Sequence, residues 1–170
     1  MIRLNIGSCD LPLPRAEGWI NIDLSTSPHI QADLILDGRE LDKNFGDDSV
    51  DEIYAGHFLE HLYPTEAEDF VRMSYRLLKP GGILGLVTPD FRFIVNGYLQ
   101  GEEEFNIAEL IETFIFSYKQ ESVHRSIWDL HSMKELFVRH GFKDVTEIDR
   151  MEDPRVAYGV EWQMGVQGIK

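Results

Sequence analysis

The chain has 170 residues, which is close to the size of a single domain, since domains have about 150 residues each. Its 16 basic and 30 acidic side chains leave a formal charge of −14, which disfavours nucleic-acid and anionic membrane partners because both carry phosphate. No apolar run approaches the roughly 20 residues of a membrane span, no secretory leader is recognisable, and the lone Cys9 cannot form an internal disulfide. These features predict a single cytoplasmic domain over 1–170.

Short apolar segments rich in Ile, Val and Leu recur along the chain, as is typical of strands buried in a parallel sheet. The gap between the first two contains Leu11-Pro12-Leu13-Pro14 and is too short for a full crossover helix. The predicted strands lie at residues 2–6, 19–23, 33–36, 50–55, 83–88, 145–148 and 158–169.

Two amphipathic helices are predicted between these strands. The first has Thr65 as its N-cap and Glu68 as the partner in a capping box, and it is stopped by the sequence 79–82, Lys-Pro-Gly-Gly. The second begins near Asp129 and ends before Gly141, which suits the left-handed position after a helix. Strands that alternate with helices predict an α/β sandwich around a mostly parallel sheet.

A further segment, 91–125, exceeds what a simple alternating sheet needs. Within it, residues 107–118 place apolar side chains at helical spacing. The segment is predicted to be a lid or insertion, and the 107–118 helix is a candidate contact surface for a homodimer.

In sheets of this class, ligands bind beyond the carboxyl ends of the strands. Gly7 follows the first predicted strand, where it allows close backbone approach to a ligand, and Asp23 ends the second, where a ribose diol needs an acceptor. An ordinary turn at Gly7 and a capping role for Asp23 are the alternatives.

Several longer segments carry a family resemblance. In order and spacing, LNIGS, GWINIDLS, ADLILDGREL, DDSVDEIYAGHFLEHL, RLLKPGGILGLVTPDF and LFVRHGFKDV resemble the small class I S-adenosylmethionine-dependent methyltransferases. The resemblance implies a Rossmann-like three-layer sandwich with seven strands, the last antiparallel, and the short gap after the first strand departs from it by predicting a shortened first crossover. It also implies S-adenosylmethionine as the cofactor and methyl transfer, and we expect the acceptor to be a small molecule or sugar-like.

The resemblance further implies roles for individual residues. The loop after the first strand would lie beside the methionyl part of the cofactor, Asp23 would bind the ribose hydroxyls, and Asp37 would lie near the adenine. Two positions depart from the family pattern, since Asn5 stands where an acidic residue is frequent and Cys9 where a second glycine is frequent. The candidate cofactor-binding residues are Asn5, Gly7, Ser8, Cys9, Asp23, Leu24, Asp37, Gly38 and His57.

Methyl transfer needs alignment of a nucleophile with the methyl group and sometimes a base. The candidate catalytic residues are His57, Asp90 and His124, because each follows a strand or precedes the late helix. Asp90 has a second interpretation as the N-cap of a helix starting at Phe91, and His124 as a surface loop residue.

Two other functions compete with this hypothesis, which itself assigns no metal ligand. Asn5, Cys9 and the short crossover also suit an inactive cofactor-binding or interaction module of the same fold. His57, Glu60 and His61 spell H-x-x-E-H, the inverted signature of zinc hydrolases, and Glu135 is a candidate third ligand.

Overall fold

The computed structural model describes residues 1–101, 123–156 and 161–170. Within these residues, seven strands form one sheet in the order β3-β2-β1-β4-β5-β7-β6. The strands are β1 Arg3–Ile6, β2 Trp19–Asp23, β3 Leu34–Ile35, β4 Val50–Gly56, β5 Leu78–Pro89, β6 Lys143–Glu147 and β7 Gln163–Ile169. The helices are α1 Pro64–Leu77, α2 Phe91–Gln100 and α3 Leu130–Arg139, with 3-10 turns at Arg15–Glu17, Gly38–Lys43 and Leu59–His61.

The sheet confirms the predicted Rossmann-like architecture. Strands β1 to β5 pair in parallel, whereas β7 runs antiparallel to both β5 and β6. The strand order reverses between β1 and β4, and the loops after these two strands therefore flank the crevice where such sheets bind ligands.

Strand boundaries differ from the prediction mainly in the second half of the chain. β5 begins at Leu78 rather than at residue 83, and its pairing with β4 shifts register over the Lys-Pro-Gly-Gly segment. β6 begins at Lys143, two residues before its predicted start, and β7 begins at Gln163, later than its predicted start at residue 158. Of the predicted last strand, 158–160 lies outside the described residues.

The predicted capping box of the first helix is wrong by two residues. α1 begins at Pro64, whose fixed φ and missing N–H suit the first helical position, and Tyr63 is the N-cap. The Glu66 carboxylate accepts a hydrogen bond from the Tyr63 N–H at 2.9 Å, whereas Glu68 pairs with Arg139 at 2.9 Å.

The second helix is confirmed. Asp129 caps α3 by accepting a hydrogen bond from the Ser132 N–H at 2.8 Å, and Gly141 follows the helix at φ 94°. Met133, Leu136 and Phe137 are fully buried on its inner face.

The two faces of the sheet are covered differently. The larger core joins Leu4, Ile53 and Leu86 on one face to Phe70 of α1 and Phe137 of α3. The opposite face carries a smaller cluster of Trp19, Tyr54, Val87 and Ile148, on which the loop residues Leu13 and Val156 pack. The first crossover contains only the 3-10 turn Arg15–Glu17, as the short gap predicted.

The predictions for the 91–125 segment and for membrane spans can be compared with the structure only where the residues are described. Of the 91–125 segment, α2 and residues 123–125 are described, and the 107–118 helix lies outside the described residues. In the described part of the chain, no helix has the length and hydropathy needed to cross a membrane.

Candidate active site

A cavity of about 300 Å³ lies at the carboxyl ends of β1 and β4. This size is at the lower end of the range for small-molecule pockets. Its walls come from the loop after β1, the end of β4, and two residues from beyond β6. The lining residues are Asn5, Gly7, Ser8, Cys9, Asp10, Leu11, Tyr54, Gly56, His57, His61, Val87, Arg155 and Gln163.

The loop after β1 contains two residues in the left-handed backbone conformation. Gly7 has φ 66° and Cys9 has φ 47°, so Cys9 adopts the left-handed conformation that a glycine would take without strain. The N–H groups of Gly7 and Ser8 both donate to the Ile22 carbonyl oxygen, at 2.9 and 3.1 Å. These bonds fix the loop against the end of β2.

Ser8 offers a polar atom at the cavity. Its side chain is buried, yet Oγ has no hydrogen-bond partner among the described residues. Buried hydroxyls are normally hydrogen-bonded, so this Oγ lacks a partner that such a group usually has.

Asn5 lies on β1 and joins it to β2 through a side-chain hydrogen bond. Its Nδ2 donates to Asn21 Oδ1 at 2.9 Å, and the same Oδ1 accepts a bond from the Leu13 N–H at 2.8 Å. Asn5 is 3% exposed, and burying a neutral amide costs less than burying a carboxylate. The pair therefore braces the helix-free crossover while one side of Asn5 lines the cavity.

Asp23 and Leu24 lie beside this cavity without lining it. Asp23 Oδ2 accepts a bond from the Cys9 N–H at 2.9 Å, and Oδ1 accepts one from the Ser25 N–H at 2.8 Å. Each oxygen keeps a second lone pair for a ligand hydroxyl. Leu24 is exposed.

Asp37 and Gly38 have local structural roles that sequence reasoning did not find. The Arg39 guanidinium and backbone N–H both bond to the Asp37 carboxylate, which holds its pKa below the ordinary value although burial opposes this. A Cβ on Gly38 would lie 2.5 Å from Ile6 Cγ2 and 2.8 Å from Phe58 Cζ, so only glycine fits there.

His57 is held from both sides of its ring. Nδ1 lies 3.0 Å from Glu60 Oε1, and Nε2 lies 2.9 Å from Gln163 Oε1. Burial lowers the pKa of the imidazole, but the hydrogen bond and charge of Glu60, helped by Gln163, outweigh it and raise the pKa above its usual value. His57 also has φ 53°, a conformation that is rare for residues other than glycine.

The other two candidate catalytic residues lie on different elements. Asp90 is the N-cap of α2, because its Oδ1 accepts a bond from the Arg92 N–H at 2.9 Å. His124 packs its ring edge-on against His61, with 4.9 Å between the ring centroids. The structure thus brings both His57 and His124 against the short turn Leu59–His61.

Sequence reasoning missed Gln163 and Arg155 as cavity residues. Because β7 runs antiparallel, its first residue, Gln163, lies where the other strands end, and this signal was available once β7 was predicted antiparallel. Arg155 comes from the loop before β7, and its guanidinium bonds to Glu52 at 2.7 Å and Asp153 at 2.6 Å. No local sequence pattern indicated that position.

The H-x-x-E-H motif does not form the helical zinc site of the hydrolases. Its residues span the end of β4 and a 3-10 turn, so His57 and His61 do not share the face of an α-helix. His57 uses both ring nitrogens for hydrogen bonds, and Glu135 lies on α3 beside His131, at 3.4 Å. The helical ligand geometry on which the zinc-hydrolase alternative relied is therefore not formed.

Known proteins resemble the chain in sequence and in fold. A family model described as a methyltransferase domain matches residues 20–86. No curated protein matches the chain by sequence.

Three solved structures are similar in fold at low sequence identity. A SAM-dependent methyltransferase of Archaeoglobus fulgidus has a TM-score of 0.66 at 16% identity, with 99% of this chain and 85% of that chain covered. A SAM-dependent methyltransferase of Thermotoga maritima has a TM-score of 0.60 at 16% identity, with 99% and 82% covered. The 1,6-didemethyltoxoflavin-N1-methyltransferase of Burkholderia thailandensis, solved with 1,6-didemethyltoxoflavin and S-adenosylhomocysteine, has a TM-score of 0.62 at 14% identity, with 99% and 70% covered.

Proposed function

We propose that this chain is a class I S-adenosylmethionine-dependent methyltransferase and that it methylates a small-molecule or sugar-like acceptor at the cavity between β1 and β4. The observation that carries the proposal is the loop after β1, whose left-handed Gly7 and Cys9 bring the unpartnered Ser8 Oγ to the cavity at the switch point of the sheet.

The residues present fit the methionyl half of the cofactor. The N–H groups of residues 7–9 already bond to Ile22 and Asp23, so the Ser8 hydroxyl and carbonyl oxygens of this loop are the groups proposed to bind its polar atoms, and a cavity of about 300 Å³ leaves room for it. We assign Asp23 to the ribose hydroxyls, since both of its oxygens retain acceptor capacity. When bound, the cofactor supplies an electrophilic methyl group.

At the adenine end of the cofactor, the proposal assigns Asp37 a different role from the one that the resemblance implied. The Asp37 carboxylate is engaged by Arg39, so we assign it to shaping the neighbouring turn, with Gly38 allowing that turn to approach Ile6 and Phe58. Exposed Leu24, next to Asp23, is then the apolar side chain that the adenine ring can cover.

His57 acts as a positioning group in this proposal. Its ring nitrogens are engaged by Glu60 and Gln163, so the imidazole is oriented by these contacts and neither nitrogen is left to take a proton from the acceptor. Asp90 is proposed to fix the start of α2, and with it the acceptor side of the site. The 91–125 segment is proposed to be the lid over that side.

Charge and cavity size favour a small acceptor. A net charge of −14 opposes binding of RNA or DNA, whose affinity depends on neutralising phosphates. The Burkholderia enzyme is named for a small heterocyclic substrate, which is consistent with this class of acceptor on this fold.

The experiment is a transfer assay with S-adenosylmethionine labelled on the methyl group. The purified chain is incubated with panels of small hydroxyl, amine and sugar-like compounds, and with bulk tRNA as the contrasting acceptor. We expect label in at least one small-molecule pool and none in tRNA. Transfer to tRNA alone would contradict the proposed acceptor class, and cofactor binding without any transfer would favour the inactive-module alternative.

A further inference from the structure

A cluster of three side chains able to bind metal lies behind the proposed methyl-transfer site. Glu60, His61 and His124 each offer one donor atom, and these three atoms all lie within 4.8 Å of one another. Two imidazole nitrogens and one carboxylate oxygen form a donor set that first-row divalent transition metals favour, whereas Mg²⁺ and Ca²⁺ prefer oxygen ligands alone.

The Glu60 carboxylate gives an independent sign of a missing partner. Glu60 is 2% exposed, and its Oε1 bonds to His57, yet Oε2 is buried without a hydrogen-bond partner among the described residues. A carboxylate oxygen removed from water normally has a donor or a cation beside it.

Hydrogen bonds join the segment that contains His124 to the 3-10 turn that contains Glu60 and His61. The N–H groups of Arg125 and Ser126 donate to the Glu60 carbonyl oxygen at 2.7 and 3.1 Å. Ser126 Oγ donates to the Leu59 carbonyl at 3.2 Å, and Arg125 Nη1 donates to the His61 carbonyl at 3.0 Å. Two parts of the chain that lie 64 to 67 residues apart in sequence are thus held together at the cluster, which keeps its donors in place before any ion binds.

The tautomer of His61 also suits coordination. Its Nδ1 lies 3.3 Å from the Val123 carbonyl oxygen, which can only accept a hydrogen bond. Donation from Nδ1 leaves the lone pair on Nε2, and a carbonyl partner of this kind is the usual orienting contact of a metal-binding histidine.

Space next to the cluster allows a further ligand. A small void of about 10 Å³, lined by Glu60, His124 and Phe91 among others, adjoins it, and such a volume holds about one water molecule. Three protein ligands and one open position are the pattern of catalytic zinc sites.

We propose that Glu60, His61 and His124 bind one divalent transition-metal ion of the Zn²⁺ class. The assignment differs from the H-x-x-E-H interpretation, because His57 is not a ligand and Glu60 binds the ion instead of acting as a base. His61 also lines the larger cavity, so the ion borders the place proposed for methyl transfer, but its binding does not depend on that function.

The test is calorimetric titration of chelator-treated full-length protein with ZnCl₂ and, separately, with MgCl₂. We expect one Zn²⁺ per chain at micromolar or lower Kd, and Mg²⁺ binding at least about 10-fold weaker. His124→Ala and Glu60→Gln should each weaken Zn²⁺ binding by at least about 10-fold. His131→Ala is the matched control, because His131 is an exposed histidine on α3 that pairs with Glu135 at 3.4 Å, and it should leave the affinity unchanged.

Thermal unfolding without metal checks that each variant is folded, and His124→Asn replaces the alanine variant where that one unfolds. Absence of Zn²⁺ binding by the wild-type chain would overturn the proposal and leave His61 and His124 as a packing contact. Equal loss in His131→Ala, or Mg²⁺ binding as tight as Zn²⁺, would overturn it as well.

Discussion

The backbone N–H of Cys9 donates a hydrogen bond to Asp23 Oδ2 at 2.9 Å, which joins the loop after β1 to the end of β2. In a chain without a first crossover helix, this bond and the Asn5–Asn21 pair hold the loop in place. The residue proposed to bind ribose is therefore also one that shapes the proposed methionyl pocket.

Replacement of Asp23 tests both roles. Asp23→Ala removes the ribose acceptor and the bond to Cys9, so we expect S-adenosylhomocysteine affinity to fall by about 1.5–3 kcal/mol, roughly 10- to 150-fold. Calorimetric titration measures the change. The control is Asp69→Ala, an exposed aspartate of α1 paired with Arg72, and unchanged affinity in Asp23→Ala would contradict the assignment.

The left-handed conformation of Cys9 makes a second prediction. At φ 47° a side chain costs about 1 kcal/mol, and Cys9→Gly removes that strain while it increases the freedom of the unfolded chain. We expect Cys9→Gly to change the free energy of unfolding by less than about 1 kcal/mol and to keep cofactor affinity. Cys9→Val, which is β-branched, should lower both. Urea unfolding distinguishes these outcomes, and a large loss of stability in the glycine variant would contradict the strain argument.

Close packing at Gly38 makes a third prediction. Because an added Cβ would meet Ile6 and Phe58 at 2.5 and 2.8 Å, Gly38→Ala should lower the free energy of unfolding by about 1–3 kcal/mol. Gly46→Ala is the matched control, since nothing lies within 4 Å of its added Cβ. If both variants unfold at the same urea concentration, the packing of this turn is different from the one described.

The cap of α3 makes a prediction about pH. Hydrogen bonds from the Ser132 N–H and hydroxyl lower the pKa of Asp129, because they stabilise the ionised carboxylate in the folded state more than water does in the unfolded chain. This stabilisation is complete above the unfolded pKa of about 3.9 and is lost as pH falls through the lower folded pKa. Asp129→Ala should cost about 1 kcal/mol at pH 7, and the difference from wild type should shrink below about pH 4. A difference that grows on acidification would contradict the lowered pKa.

Patterns within short stretches of sequence predicted the elements whose ends depend on neighbouring residues. Trp19–Asp23 was predicted with its observed ends, and the second helix was predicted to begin near Asp129, because strand alternation and helical periodicity depend on neighbours in sequence. Tyr63 was missed as the N-cap of α1, since Thr65 is a better capping residue and only the ring of Pro64 fixes the start.

Contacts across long sequence separations could not be predicted in this way. His57 lies 106 residues from Gln163, and their hydrogen bond follows from the antiparallel β7 rather than from either residue's surroundings in sequence. The contact of His61 with His124 depends on the hydrogen bonds from Arg125 and Ser126 to Glu60, whereas the H-x-x-E-H motif suggested His57 and His61 as the metal ligands.

The most direct test of the central claim is calorimetric titration of the purified chain with S-adenosylhomocysteine, with NAD as the control ligand. The structure predicts one S-adenosylhomocysteine per chain with a micromolar Kd, no heat from NAD, and weakened binding in Asp23→Ala. Absence of S-adenosylhomocysteine binding by folded wild-type protein, or equal binding of NAD, would contradict the assignment of the cavity between β1 and β4 as the cofactor site.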